Sequence, residues 1–78
     1  MGLNEIIAIL RAIRPELDFT QSKDFIADGL LDSFDTVALV SALDKRFGIS
    51  IQGVDIVPEN FKNPETIAAL LGKNGVKL

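Results

Sequence analysis

Apolar residues recur at helical spacing in three separate stretches of the chain. The first stretch lies near the N-terminus, and its apolar positions form a single stripe: Leu3, Ile6, Ile7, Leu10 and Ile13. This spacing predicts an amphipathic helix of about three turns. The helix is expected to end at Arg14 and Pro15, because a residue before proline is disfavoured in the helical conformation.

The second stretch predicts a longer helix that begins at Asp32 and Ser33, either of which can cap it. Asp35 falls in the first turn, where a negative charge suits the positive end of the helix dipole. Gly48 predicts the end of the helix, since glycine readily adopts the left-handed conformation found at helix C-termini. The positions expected to face inward are Val37, Val40, Leu43 or Asp44, and Phe47.

The third stretch predicts a helix with clear start and stop signals. Asn63 is a typical cap, and Pro64 suits the first helical position. Gly72 is expected to end the helix, and residues 73–78 are expected to form a frayed tail. The positions expected to face inward are Ile67, Ala68, Leu70 and Leu71.

Two connections join these helices. Residues 15–31 form a long one, with apolar residues frequent enough to hold it against the helices: Phe19, Phe25, Ile26, Leu30 and Leu31. Asp28 and Gly29 mark a turn within it. In the other connection, residues 49–51 predict an extended linker with buried isoleucines. Residues 54–61 predict a short third helix or single turns.

These elements predict an all-α fold in which residues 1–78 form a single domain. A chain of 78 residues is too short for two separate cores. We expect a small bundle of three main helices plus one short helix, with a long first loop. Apolar packing must hold it together, because the chain has no cysteine for disulfides.

The composition indicates the compartment in which the protein is expected. Hydrophobic residues make up 47% of the chain and charged residues 24%, a mixture typical of soluble globular proteins. No apolar run is long enough to span a bilayer, so we expect no membrane insertion. The N-terminus lacks a basic start and a long apolar segment, so no secretory signal is expected. The absence of cysteine fits a reducing compartment, and we expect a cytoplasmic location.

Composition also narrows the function. The chain has no histidine and no cysteine, which argues against a zinc site and against hydrolases of the Ser-His-Asp or Cys-His type. Its net charge of -3 argues against nucleic acid as a partner, since phosphate backbones require clustered cations. An enzyme is therefore not expected. The chemistry is expected to lie at Ser33, which on its own would be read as a helix cap.

The context of Ser33 resembles the acyl carrier protein family. The resemblance rests on Gly29-Leu30-Leu31-Asp32-Ser33-Phe34-Asp35-Thr36-Val37, followed by a helix that ends in Arg46-Phe47-Gly48-Ile49. It covers nearly the whole chain: first helix, long loop, motif helix, short helix and final helix. In that family the Asp-Ser-hydrophobic motif is the attachment site for 4'-phosphopantetheine.

The resemblance implies a carrier without catalytic activity of its own, monomeric, with the arm on Ser33. Asp32 would belong to the recognition motif as well as capping the helix. A phosphopantetheinyl transferase would move the arm from coenzyme A to the Ser33 hydroxyl, and the terminal thiol of the arm would hold an acyl group as a thioester. The partners would include an acyl- or aminoacyl-activating ligase, a ketosynthase or an acyltransferase, in fatty acid, lipid or specialised metabolite biosynthesis.

Two further groups of residues are candidates for partner docking and cargo binding. The docking candidates share one face of the second helix, with Asp35 beside them: Phe34, Ala38, Ser41 and Lys45. Phe34 is expected either to anchor a partner or to fold back under the first loop. The candidate acyl pocket could equally be plain core, and comprises Val37, Val40, Leu43, Ile51, Ile56 and Ile67.

The chain departs from the fatty-acid carriers of the family on its second helix. Ala38 stands where an acid is usual, and Lys45 and Arg46 stand where further acids are common, although Asp35 and Asp44 remain. A weaker negative field reduces attraction to basic partners. The sequence therefore suggests a specialised carrier that serves a dedicated pathway.

Three alternatives stay open. The motif also resembles D-alanyl carriers and aminoacyl or peptidyl carriers that an adenylating ligase loads, although residues 54–64 look closer to free-standing acyl carriers. A second alternative is an unmodified helical interaction module in which Ser33 is a simple cap. An enzyme with Ser33 as a nucleophile is the least favoured, because no base is in evidence.

Overall fold

Three α-helices form the frame of the protein: α1 (Gly2–Ile13), α2 (Ser33–Phe47) and α3 (Pro64–Lys73). The computed structural model describes residues 2–77, and it contains no β-strand within that range. The prediction of an all-helical fold is confirmed for these residues. An ion pair between Glu5 and Arg46 joins the start of α1 to the end of α2, and a second between Arg14 and Asp35 joins the end of α1 to the start of α2. These two helices therefore run antiparallel.

The start of α2 is fixed by a reciprocal pair of hydrogen bonds. Asp32 is the cap, and its Oδ1 accepts the backbone N–H of Asp35 at 2.8 Å. In return, Asp35 Oδ2 lies 3.5 Å from the backbone nitrogen of Asp32. Of the two candidate caps, Asp32 therefore holds that role and Ser33 is the first helical residue. At the other end, Gly48 takes the expected left-handed conformation with φ +66°.

The end of α3 differs from the prediction. Asn63 and Pro64 begin the helix as expected, but α3 continues through Gly72 to Lys73. The left-handed residue that turns the chain is Gly75, with φ +88°, because a glycine ends a helix only where the backbone adopts that conformation. Val76 then donates its N–H to the carbonyl of Leu71 at 3.0 Å.

The tail predicted to be frayed thus begins inside a helix. Val76 packs against the core, and Lys73 forms an ion pair with Asp55, with 2.9 Å between Nζ and Oδ1. Leu78, the last residue of the predicted tail, lies outside the described residues. These contacts tie the end of α3 to the connection that precedes it.

The core is a single cluster drawn from all three helices and both connections. Its fully buried side chains include three phenylalanines, Phe19, Phe25 and Phe61. The aliphatic members of the cluster are Ile6, Leu10, Leu31, Leu39, Val40, Leu43, Ile51, Ile67, Leu70 and Leu71. This burial is what stabilises a domain that has no disulfide.

The inward face of α2 is rotated from the predicted one. Val37 is 60% exposed, so its assignment to the inward stripe is wrong. The buried positions are Thr36, Leu39, Val40 and Leu43. A helix cannot bury both Val37 and Leu39, which lie about 200° apart around its axis. The larger Leu39 is the one that is fully buried.

The long first connection is packed by its own aromatic side chains. Phe19 lies on a short 3-10 turn (Phe19–Gln21), and its ring meets that of Phe25 edge to face, with centroids 5.2 Å apart. Phe25 also donates its N–H to the carbonyl of Lys62 at 2.6 Å. The expectation that apolar residues hold this connection against the helices is confirmed.

The second connection contains two 3-10 turns, Gly53–Asp55 and Pro58–Phe61, in place of a regular helix. Of the two predicted alternatives, single turns are the one that occurs, and the one short helix expected in the bundle is replaced by these turns. Of the two isoleucines expected to be buried before them, Ile51 is buried and Ile49 is half-buried, and Phe61 is fully buried. Val54 is 80% exposed and contributes nothing to the core.

Candidate functional site

Ser33 lies exposed at the first position of α2. Asp32 beside it is also exposed, and its carboxylate is engaged in capping. Among residues 2–77, the Ser33 hydroxyl has no hydrogen-bond partner. Thr36 binds the carbonyl of Asp32 through both its N–H and its hydroxyl, each at 2.9 Å. The backbone of Asp32 is therefore held from two sides, while the Ser33 side chain stays free.

The turn before Asp32 explains why the chain presents the serine in this way. Gly29 has φ +75°, which favours glycine, and its N–H bonds to the carbonyl of Ile26 at 3.1 Å. The carbonyl of Phe25 accepts the next two N–H groups, from Leu30 at 2.8 Å and Leu31 at 3.1 Å. Leu31 is buried, so the turn is anchored in the core immediately before α2 begins.

Arg14 forms a bridge to this site that the sequence analysis missed. Its Nη1 donates to Asp35 Oδ2 at 2.7 Å, and its Nε donates to Glu16 Oε2 at 2.6 Å. The Asp35 side chain is only 13% exposed. The end of α1 is thus bonded to the capping box of α2. Arg14 and Asp35 are 21 residues apart, so no local pattern could have revealed the pair.

The same bridge perturbs two ionisable groups. The hydrogen bond from Arg14 lowers the pKa of Glu16, and in return the hydrogen bond to Glu16 is the main cause of the raised pKa of Arg14. Burial opposes this rise, while the charge of Asp35 adds to it. Arg14 is therefore a permanent cation next to the start of α2.

Four of the five predicted docking residues share one exposed face of α2. Phe34 is 83% exposed, so the alternative in which it folds under the first loop is wrong. Ala38, Ser41 and Lys45 are exposed as well. Asp35 does not belong to this surface, because its carboxylate is turned toward Arg14.

The six predicted pocket residues do not form one cavity. Four of them are core residues: Val40, Leu43, Ile51 and Ile67. The other two, Val37 and Ile56, line a surface cavity of about 280 Å³ beside Ser33. Ser33 itself belongs to the lining, and the other lining residues are Ile26, Leu31, Asp32, Thr36, Val57 and Pro58. The chain thus offers a mainly apolar cavity next to the serine, and sequence reasoning identified only two of its walls.

The start of α2 has features that suit a phosphate group. A helix N-terminus presents unpaired backbone N–H groups and the positive end of the dipole, both of which favour a phosphate ester. Within residues 2–77, no group of three or more potential ligands could hold a metal ion. The chain has no histidine that could act as a base for Ser33.

None of the helices described within residues 2–77 has the length and apolar character needed to cross a membrane. Comparisons of the chain with protein-family models, with curated proteins and with solved structures each find no match.

Proposed function

We propose that this protein is a cytoplasmic acyl carrier, with a 4'-phosphopantetheine arm attached to Ser33. We also propose that the helices are arranged as in the acyl carrier family, with a long first loop that leads to the helix bearing the motif. The observation that carries it is the exposure of Ser33 at the first position of a firmly capped helix, with a hydroxyl that forms no hydrogen bond to the described part of the chain.

The residues at the start of α2 fit such an arm. The Ser33 hydroxyl would form a phosphodiester by attack on the coenzyme A phosphorus that bears pantetheine, and the adenosine bisphosphate would leave. The separate transferase would accept the hydroxyl proton. The first N–H groups of α2 would face the resulting phosphate. The arm supplies a thiol, which lets a chain without cysteine carry an acyl group as a thioester.

The cavity beside Ser33 favours an acyl cargo. Its walls are mostly aliphatic, including Ile26, Val37 and Ile56. A hydrocarbon segment buried there would lose contact with water, which is favourable. The ammonium group of an aminoacyl cargo would lose hydration among the aliphatic side chains, and the one carboxylate in the lining, Asp32, is already engaged in capping α2. This lining favours an acyl carrier over a D-alanyl or aminoacyl carrier.

The attachment is tested by incubation with coenzyme A and a broad-specificity phosphopantetheinyl transferase, followed by mass spectrometry of the intact chain. We expect a gain of one arm, and its loss in Ser33→Ala. Ser41→Ala is the matched control, because Ser41 is an exposed serine on the same helix. An unchanged mass, under conditions that modify a known carrier, would contradict the proposal.

The same experiment addresses the second candidate, an unmodified interaction module. Its support is the exposed apolar side chains of Phe34, Val37 and Val54. A module would bind a partner through these residues and remain unmodified. If the arm is attached, the cargo on the carrier purified from its native cell distinguishes an acyl carrier from an aminoacyl carrier by mass.

A further inference from the structure

An apolar groove lies between α1 and α2, away from the cavity beside Ser33. It has a volume of about 370 Å³, and its lining consists of Ile9, Ala12, Ile13, Ala42, Lys45 and Arg46. The four residues other than Lys45 and Arg46 are aliphatic. The two cations come from the last turn of α2. The groove therefore combines an apolar floor with a positive end.

A row of residues on α2 leads from the groove toward Ser33. Ala42, Ala38 and Phe34 follow one another at intervals of four residues, which places them in one row on the helix. The row from Phe34 to Ala42 extends about 12 Å along the axis. A protein that reaches the arm at Ser33 can therefore cover the row and the groove together.

The two carboxylates of α2, Asp35 and Asp44, are both bonded within the fold. Asp35 is bonded to Arg14, with 2.7 Å between the two side chains. Asp44 is half-buried, and its Oδ1 accepts the backbone N–H of Ile51 at 2.9 Å. Neither of these acids is therefore available to pair with a basic partner.

The charges that remain at the groove are positive. Arg46 forms an ion pair with Glu5 of α1, which offsets part of its charge. Lys45 is exposed and has no ion-pair partner among residues 2–77. A basic partner surface would be repelled here, while a carboxylate would be attracted.

We infer that the groove and the adjoining row bind a segment of a partner protein that presents aliphatic side chains flanked by acidic residues. The inference deepens the proposed function, since the partner would be an enzyme that acts on the arm at Ser33. Aliphatic side chains would fill the groove between α1 and α2, and a carboxylate would pair with Lys45. The local charge at the groove is opposite in sign to the net charge of the chain, -3.

The test uses a synthetic amphipathic helical peptide of about four turns. It carries leucines on one face and glutamates at their margins, and a matched peptide carries lysines in place of the glutamates. Each is titrated into the isotope-labelled chain at low salt, where charge effects are least screened. We expect the glutamate peptide to shift the amide resonances of Ala38, Ala42 and Lys45, and the lysine peptide to bind more weakly.

Charge-reversal variants make the test specific. Lys45→Glu should weaken the glutamate peptide about three- to tenfold and favour the lysine peptide. Lys23→Glu is the matched control, because Lys23 is exposed and lines a different cavity with Phe19 and Pro64. It should leave the affinity unchanged. Ser33→Ala should bind the peptide as the parent chain does, so failure of docking can be distinguished from failure of attachment.

Several outcomes would overturn the inference. Equal binding of both peptides, no binding of the glutamate peptide, or shifts confined to other surfaces would each do so. Shifts of the same amides by dodecanoate alone would make the groove a fatty-acid site. Self-association of the chain through these residues, measured by sedimentation, would make it an interface between copies.

Discussion

Arg14, just beyond the end of α1, donates a hydrogen bond to Asp35 in the first turn of α2, with 2.7 Å between Nη1 and Oδ2. Asp35 in turn belongs to the capping box with Asp32. One cation thus joins the first helix to the residues that present Ser33. The long first connection runs from one of these ends to the other, so the bridge closes a segment that has little regular structure of its own.

Removal of this bridge should destabilise the fold. We expect Arg14→Gln to lower the free energy of unfolding, and by more than Arg11→Gln does, because Asp35 is mostly shielded from water and loses its charged partner. Urea unfolding followed by circular dichroism measures the change. Arg11→Gln is the control, since Arg11 is exposed on the same helix. Equal effects of the two variants would contradict a specific role for Arg14.

The inward face of α2 gives a second prediction. Leu39 is fully buried and Val37 is 60% exposed. Leu39→Ala should lower the free energy of unfolding by about 2–5 kcal/mol, because it leaves a cavity in the core. Val37→Ala should change it by less than about 0.5 kcal/mol, because the valine is largely in water. The same urea experiment compares both variants, and a larger loss at Val37 would restore the face predicted from sequence.

The helix boundaries could be predicted because their signals are local. Asp32, Gly48 and Asn63 cap or end their helices through bonds or backbone angles that involve nearby residues. Gly72 failed as a stop signal for a related reason. A glycine inside a helix is tolerated, and the positive φ that turns the chain after α3 occurs three residues later, at Gly75.

The features that could not be predicted depend on tertiary packing. Helix α2 has apolar residues on more than one side, so spacing alone could not decide between Val37 and Leu39. The engagement of Asp35 by Arg14 and of Asp44 by the amide of Ile51 requires segments that meet only in the fold. Most walls of the cavity beside Ser33 were not predicted for the same reason, since Ile26 and Pro58 reach it from different connections.

Variants of Asp32 and Ser33 should affect different properties: the first the stability of the fold, the second the attachment of the arm. Asp32→Ala should cost about 1 kcal/mol of stability, because the N–H of Asp35 loses its acceptor. Ser33→Ala should alter the free energy of unfolding by less than about 0.5 kcal/mol, because Ser33 is exposed, and should abolish attachment of the arm. Urea unfolding and intact mass, measured on the same samples, provide the two readouts.

Asp32→Asn isolates the charge of the cap. Asparagine caps helices about as well as aspartate, so this variant should keep most of the stability that Asp32→Ala loses. A slower rate of arm transfer in Asp32→Asn would show that the transferase reads the carboxylate. An unchanged rate would limit Asp32 to its role as a cap.

Acid should destabilise the fold through two carboxylates near the end of α1. The hydrogen bond from Arg14 lowers the pKa of Glu16, and hydrogen bonds from Thr20 lower the pKa of Asp18. Unfolding therefore takes up protons, and stability should fall as the pH drops below about 4. Urea midpoints measured from neutral to acid pH test this, and Glu16→Gln should show a shallower fall. Arg14→Gln should flatten the profile similarly; an undiminished slope in both would refute the assignment.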